Sequence, residues 1–167
     1  MPYTGSIKKG QQMNIIQAEK LAKGLMAQYL DDEWKFKFYH AVKRLGACSY
    51  GTKTILLSKP LTEVNPVEVV RNTILHEIAH ALVGAEHGHD SVWAAKHRKL
   101  GGTGQPRSQA KFGVSNYTGT CPNGHVSYTF GKPRAQWTCS RCHPKFNLDY
   151  LIVWKKERRT HNIPQYY

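Results

Sequence analysis

His76-Glu77-Ile78-Ala79-His80 constrains this chain more than any other stretch. Two histidines four apart lie on one face of a helix, one turn from each other. Such a pair can grip a zinc ion at about 2.0–2.1 Å per nitrogen. Glu77 follows the first histidine directly, so it is placed to take a proton from a water at the metal. The flanks spell out the helix. Asn65 reads as its N-cap, Pro66 as the first helical position, and Glu68 as the partner of Asn65 in a capping box. Val67, Val70, Ile74, Ile78, Ala81 and Leu82 form an apolar stripe, and Gly84 is expected to end the helix. Unpaired polar groups are costly to bury, so two histidines and a glutamate on such a helix call for a metal.

A catalytic zinc site has three protein ligands and keeps a position open for water. The third ligand is expected just after the helix, where His87 and His89 both stand. Spacing alone does not choose between them. Asp90 is placed to cap a second helix, Ser91 to about Leu100, ended by Gly101 and Gly102. The metzincin pattern needs glycine and histidine where this chain has Val83 and Glu86, which excludes that class.

With Gly88-His89-Asp90-Ser91-Val92-Trp93 downstream, the motif resembles the SprT-like, Spartan-related family of zinc metallopeptidases. The resemblance implies His76, His80 and His89 as ligands of a catalytic zinc, with Glu77 as the base. It implies a zinc metalloendopeptidase whose substrates are proteins on, or crosslinked to, DNA. It leaves His87 as a loop residue and Trp93 at the family's aromatic position.

The rest of the chain fits an α+β domain. Asn14 to about Leu30 is an amphipathic helix. Trp34, Phe36 and Phe38 alternate with Lys35 and Lys37, the pattern of a half-buried strand. Two more strands are expected near Val42–Tyr50 and Thr52–Ser58, with Cys48 and His40 as structural residues. Helix, strands and two helices in that order predict a sheet covering the metal helix. The resemblance implies the same zincin-like core. That core is expected over residues 1–102, opening on a loose basic end, with a Gly- and Ser-rich linker over 103–116.

Residues 117–167 carry a second metal signature. Cys139 and Cys142 form a CxxC knuckle, and Cys121 with His125 stands at the other end of an expected hairpin, Val126–Phe130 with Ala135–Thr138. A Cys3His zinc site would be closed and structural, and would let a short module fold around a small core. His143 competes with His125 for the fourth place. Many SprT-like proteins carry a C-terminal ribbon of two CxxC knuckles, from which the pair Cys121 and His125 departs. Tyr150–Trp154 reads as a last strand and 155–159 as the start of a basic tail.

Charge adds a partner. Net charge is +13. Residues 1–60 hold ten Lys/Arg against four Asp/Glu, a net of +6. Residues 61–100 hold four against five, a net of −1, and residues 101–167 ten against two, a net of +8. Basic ends are the footprint of a nucleic-acid binder. Lys132, Arg134, Arg141 and Lys145 interleaved with Tyr128, Phe130 and Trp137 favour single-stranded DNA. No apolar run of about 18 residues and no signal-peptide pattern are present. The expectation is a cytoplasmic, monomeric protein that binds no membrane and holds one catalytic and one structural zinc.

Overall fold

The computed structural model describes residues 12–107, 110 and 112–162. The basic end expected over residues 1–10 lies outside them. The chain divides into two compact units, with the boundary between Phe112 and Gly113. That boundary falls inside the stretch read as a linker. Among the described residues no helix is long and apolar enough to cross a membrane.

The first unit opens with helix α1, Ile15–Tyr29. The Asn14 side chain caps it by accepting from the Ile16 N–H at 2.8 Å. Ala18, Ala22 and Met26, at helical spacing, are its buried face. Three strands follow: β1, Lys35–Tyr39; β2, Gly46–Ser49; and β3, Thr54–Ser58. Their order is β1-β3-β2, with β1 parallel and β2 antiparallel to β3. Strand β3 is central, and its Ile55 and Leu57 are buried in the core. A short helix α2, Lys59–Thr62, capped by Ser58, leads to the metal-motif helix.

That helix, α3, spans Val67–Val83. Its cap is Pro66, one residue later than the sequence pattern indicated. The difference has a local cause. Asn65 is fully buried, and its side-chain amide donates to the Leu61 carbonyl at 2.9 Å, tying α2 to the start of α3. Pro66, with extended backbone, then takes the cap position. Val70, Ile74, Leu75, Ile78 and Ala79 are fully buried. Gly84, at φ 93°, stops the helix as expected, because a residue with a Cβ is strained there. A 3-10 turn over Ala85–His87 leads to α4, Ser91–Lys99, capped by Asp90.

The second unit is built on β4, Phe112–Thr120; β5, Val126–Thr129; and β6, Val153–Asn162, in the order β5-β4-β6. Two expectations change here. Strand β5 pairs with β4, antiparallel, from Tyr117↔Thr129 to Thr120↔Val126, and not with 135–138. Thr138 instead bridges Leu151. The cause is the turn Cys121–His125, in which the Gly124 N–H donates to the Cys121 carbonyl and the Cys121 N–H to the His125 carbonyl. That turn is itself the hairpin loop, so β5 runs straight back along β4. The basic stretch 155–159 lies within strand β6. The core of this unit is small: Cys121, Cys139 and Ile152, packed by Cys142, Tyr150 and Trp154.

Candidate active site and metal centres

Helix α3 supplies His76 and His80, and the residue before the α4 cap supplies His89. Their Nε2 atoms converge. They lie 3.2 Å apart for His76 and His80, 3.1 Å for His80 and His89, and 2.9 Å for His76 and His89. Nitrogens bound at about 2.0–2.1 Å to one tetrahedral ion stand about 3.3 Å from each other. The triangle therefore fits a single zinc. Burial, then the neighbouring His80, His89 and His97, push His76 down to about 3. Burial, then His89 and His97, push His80 down to about 4. Both rings are neutral near pH 7, the form that ligates a metal. His87 points elsewhere: its Nδ1 meets the Asp90 carboxylate at 2.9 Å.

Trp93 braces the triad. It is fully buried, with ring centroids 4.5 Å from His76, 5.3 Å from His80 and 4.7 Å from His89. Its indole N–H donates to the His76 carbonyl at 3.4 Å. Behind it lies His97, also fully buried, 5.0 Å away by centroids. His97 Nδ1 accepts from the Gly104 N–H at 3.2 Å, while Nε2 has no hydrogen-bond partner among the described residues. Nothing in the sequence distinguished His97 from a surface residue of a basic helix end.

Glu77 is 7 % exposed. Burial pushes its carboxyl up to about 8, against the pull of the Arg44 guanidinium. It packs against β2. A Cβ on Gly46 would stand 2.6 Å from the Thr73 methyl and 2.8 Å from Glu77 Oε1. Gly46 thus leaves the space that the carboxylate occupies, a role its sequence context does not announce. The three histidines and Glu77 share a cleft of about 450 Å³, also lined by Gly46, Cys48 and Tyr50. Burial, then Glu77, pushes the Cys48 thiol up to about 12.

A family model described as the SprT-like family matches residues 17–118. The chain belongs to the SprT-like family. This family is related to the zincin-like metallopeptidases, and the match spans the whole His76–His89 centre. No curated protein matches the chain.

The second cluster lies beyond the SprT-like match. Cys121, His125, Cys139 and Cys142 bring their donor atoms within 4.8 Å of one another. Cys121 Sγ is 3.6 Å from His125 Nδ1 and 3.7 Å from Cys142 Sγ. His125 Nδ1 is 3.6 Å from Cys139 Sγ and 3.1 Å from Cys142 Sγ. Sulfurs held at about 2.3 Å by one tetrahedral ion stand about 3.8 Å apart, so this set also fits a zinc. Burial pushes the Cys139 thiol up, but N–H groups of Cys142 and Arg141 more than offset it, and the net shift is down. Burial and the other two thiols push Cys142 up. His143 is not in the cluster; its Nδ1 meets the Lys145 carbonyl and its ring stacks on Tyr150.

Proposed function

We propose that this chain is a zinc-dependent endopeptidase acting on proteins associated with DNA. The observation that carries this reading is the convergence of three imidazoles on one point, with a buried carboxyl one residue along the same helix from His76, in an open cleft. His76, His80 and His89 would hold the catalytic zinc, and Cys121, His125, Cys139 and Cys142 a structural one. When bound, the catalytic zinc supplies an acidified water and polarises the substrate carbonyl. A purely structural site has no use for Glu77; a hydrolase does.

The chain's own residues account for the proton. Glu77, in its ionised form, takes the proton of the attacking water as the water oxygen bonds to the scissile carbonyl carbon. It then delivers that proton to the leaving nitrogen as the C–N bond breaks, so that one water yields an acid and an amine. Gly46 and Thr73 hold the carboxyl in place, and Trp93 fixes the imidazole planes.

Support for DNA is electrostatic. The chain carries +13, and residues 101–167 carry ten cations against two acids. In the second unit Tyr128, Phe130 and Trp137 are exposed among those cations. Stacking faces beside phosphate-binding groups suit single strands. The test is cleavage of a DNA-binding protein by the zinc-loaded chain and by Glu77→Gln, each with and without single-stranded DNA. Cleavage that requires both DNA and Glu77 is the expected result. Cleavage indifferent to DNA would leave a general peptidase. No cleavage together with tight, salt-sensitive DNA binding would leave a binding protein.

A further inference from the structure

The catalytic cleft is rimmed by cations from two separate loops. Lys43 and Arg44 line it from the loop between β1 and β2, and Arg107 lines it from the stretch after α4. All three are exposed. Among the described residues none of the three has an ion pair. Among the described residues the one acid that lines the cleft is Glu77, which lies buried. Those residues thus present three cations against one buried carboxyl, Glu77, on which Arg44 already acts.

Both rims are pinned. In the first, the Arg44 carbonyl accepts from the Tyr39 hydroxyl at 3.0 Å, and the Leu45 carbonyl from the Ser58 N–H at 2.7 Å. The Ser58 hydroxyl donates to the Ala41 carbonyl at 2.6 Å. In the second, the Gly102 N–H donates to the His97 carbonyl at 2.9 Å and the Thr103 N–H to Asn72 Oδ1 at 3.0 Å. The Gly104 N–H reaches the His97 ring, and Arg71 reaches the Gly101 carbonyl at 3.4 Å. A Cβ on Gly102 would fall 1.9 Å from the His97 ring, so this turn can press onto α4 only with glycine there. The glycine-rich stretch after α4 is a clamped rim that carries Arg107 to the cleft. Side chains on pinned loops lose less freedom on binding than side chains on a loose linker.

We propose that Lys43, Arg44 and Arg107 make the cleft select peptide segments that carry an acidic residue beside the scissile bond. The proposal rests on the peptidase reading and names its substrate class. A carboxylate between the rims gains attraction from unpaired cations; a lysine or arginine there meets repulsion. Exposed charge pairs are individually weak, so the expected preference is roughly 5- to 20-fold for Glu over Gln, with Lys weaker still. On a DNA-bound protein this directs cutting away from the basic segment that faces phosphate and towards acidic or neutral segments.

The test uses the zinc-loaded full chain carrying Glu77→Gln, which binds without cutting. Fluorescence anisotropy would compare three labelled peptides that differ only in Glu, Gln or Lys beside the central bond. The expected order of affinity is Glu, Gln, Lys, narrowing as salt rises. The added double reversal Arg44→Glu with Arg107→Glu should invert it, with zinc content and circular dichroism unchanged. Equal affinities, or an order the reversal leaves intact, would overturn the proposal. So would a reversal that abolishes oligothymidylate binding while the three peptides bind alike, since the cations would then serve phosphate. If the order holds but the native chain cleaves none of the peptides or proteins offered, the selectivity stands and the peptidase reading fails.

Discussion

The two candidate metal clusters of this chain differ in what surrounds them. The histidine triad sits on a unit that has its own core: Ile74, Leu75, Ile78 and Trp93 beneath it are fully buried without help from any metal. It offers three donors and opens into a cleft. The cysteine cluster offers four donors, and two of them, Cys121 and Cys139, are themselves part of the small core of their unit. Three donors on a preformed scaffold leave a coordination position for chemistry. Four donors in place of a core leave none, and the metal becomes the fold. Each expectation below breaks or sharpens that contrast.

The largest effect is expected at Glu77. Glu77→Gln keeps the shape and removes the base, so turnover should fall by about 10²- to 10⁴-fold while zinc at the triad is retained. Cleavage kinetics beside zinc content by mass spectrometry read both. Loss of zinc along with activity would make Glu77 a structural support, and the contrast between the centres would narrow.

The complementary change is Cys139→Ser. With the sulfur gone, the second unit loses a metal ligand and much of its core, and it should be unfolded at room temperature. Amide NMR should show collapse of dispersion for residues 113–162 and native shifts for 12–107. Adding a chelator to the native chain should reproduce this asymmetry, with the triad emptied but α3 still folded. If chelation melts both units alike, the triad also holds its scaffold together.

Gly46→Ala probes the scaffold of the first centre. The new methyl would stand within 3 Å of Thr73 and Glu77 and must displace one of them. Because sub-ångström placement governs proton transfer, turnover should fall by about 10- to 100-fold with little change in zinc affinity. Activity equal to that of the native chain would show that the carboxylate has room to shift without cost.

How far these centres could be read from the sequence follows from the range of the forces that build them. His76, Glu77 and His80 lie within one helical turn, and α3 is set by local periodicity and by Gly84. His89 was one of two open choices by spacing, resolved towards the ligand by the Gly-His-Asp segment, and the structure brings its Nε2 to the pair while His87 engages Asp90. The Cys121–His125 pair reads in the sequence as a knuckle, and only its backbone hydrogen bonds make it a hairpin loop that pairs β5 with β4. Strand β4 was hidden because Gly113, Ser115, Asn116 and Gly119 dilute its alternation. Gly119 needs its missing side chain, since a Cβ there would collide with Ile152 and Trp154. Gly46, His97 and the cationic rims depend on contacts between distant segments, and no local pattern encodes them.

The smallest expected effect compares the cysteines themselves. Those of the second unit cluster with His125 in a set that could hold a metal, with Cys139 pulled towards thiolate by backbone N–H groups. Cys48 lines the cleft beside the histidine triad, yet burial and the nearby Glu77 push its thiol up to about 12. At pH 8 the fraction of thiolate at Cys48 is then about 10³-fold below that of a thiol with an ordinary pKa near 9. In the zinc-loaded chain iodoacetamide should therefore label all four cysteines slowly, the three ligands through metal protection and Cys48 through protonation. The two causes separate with pH and with chelator. Removing zinc should release Cys121, Cys139 and Cys142 to rapid labelling and leave Cys48 slow. Raising the pH should still speed Cys48 about tenfold per unit near pH 10, where an ordinary thiol is close to its plateau. Peptide-level mass spectrometry resolves each site. Labelling of Cys48 that levels off near pH 10 would mean that water reaches Cys48 and the neighbouring Glu77 more freely than their burial implies.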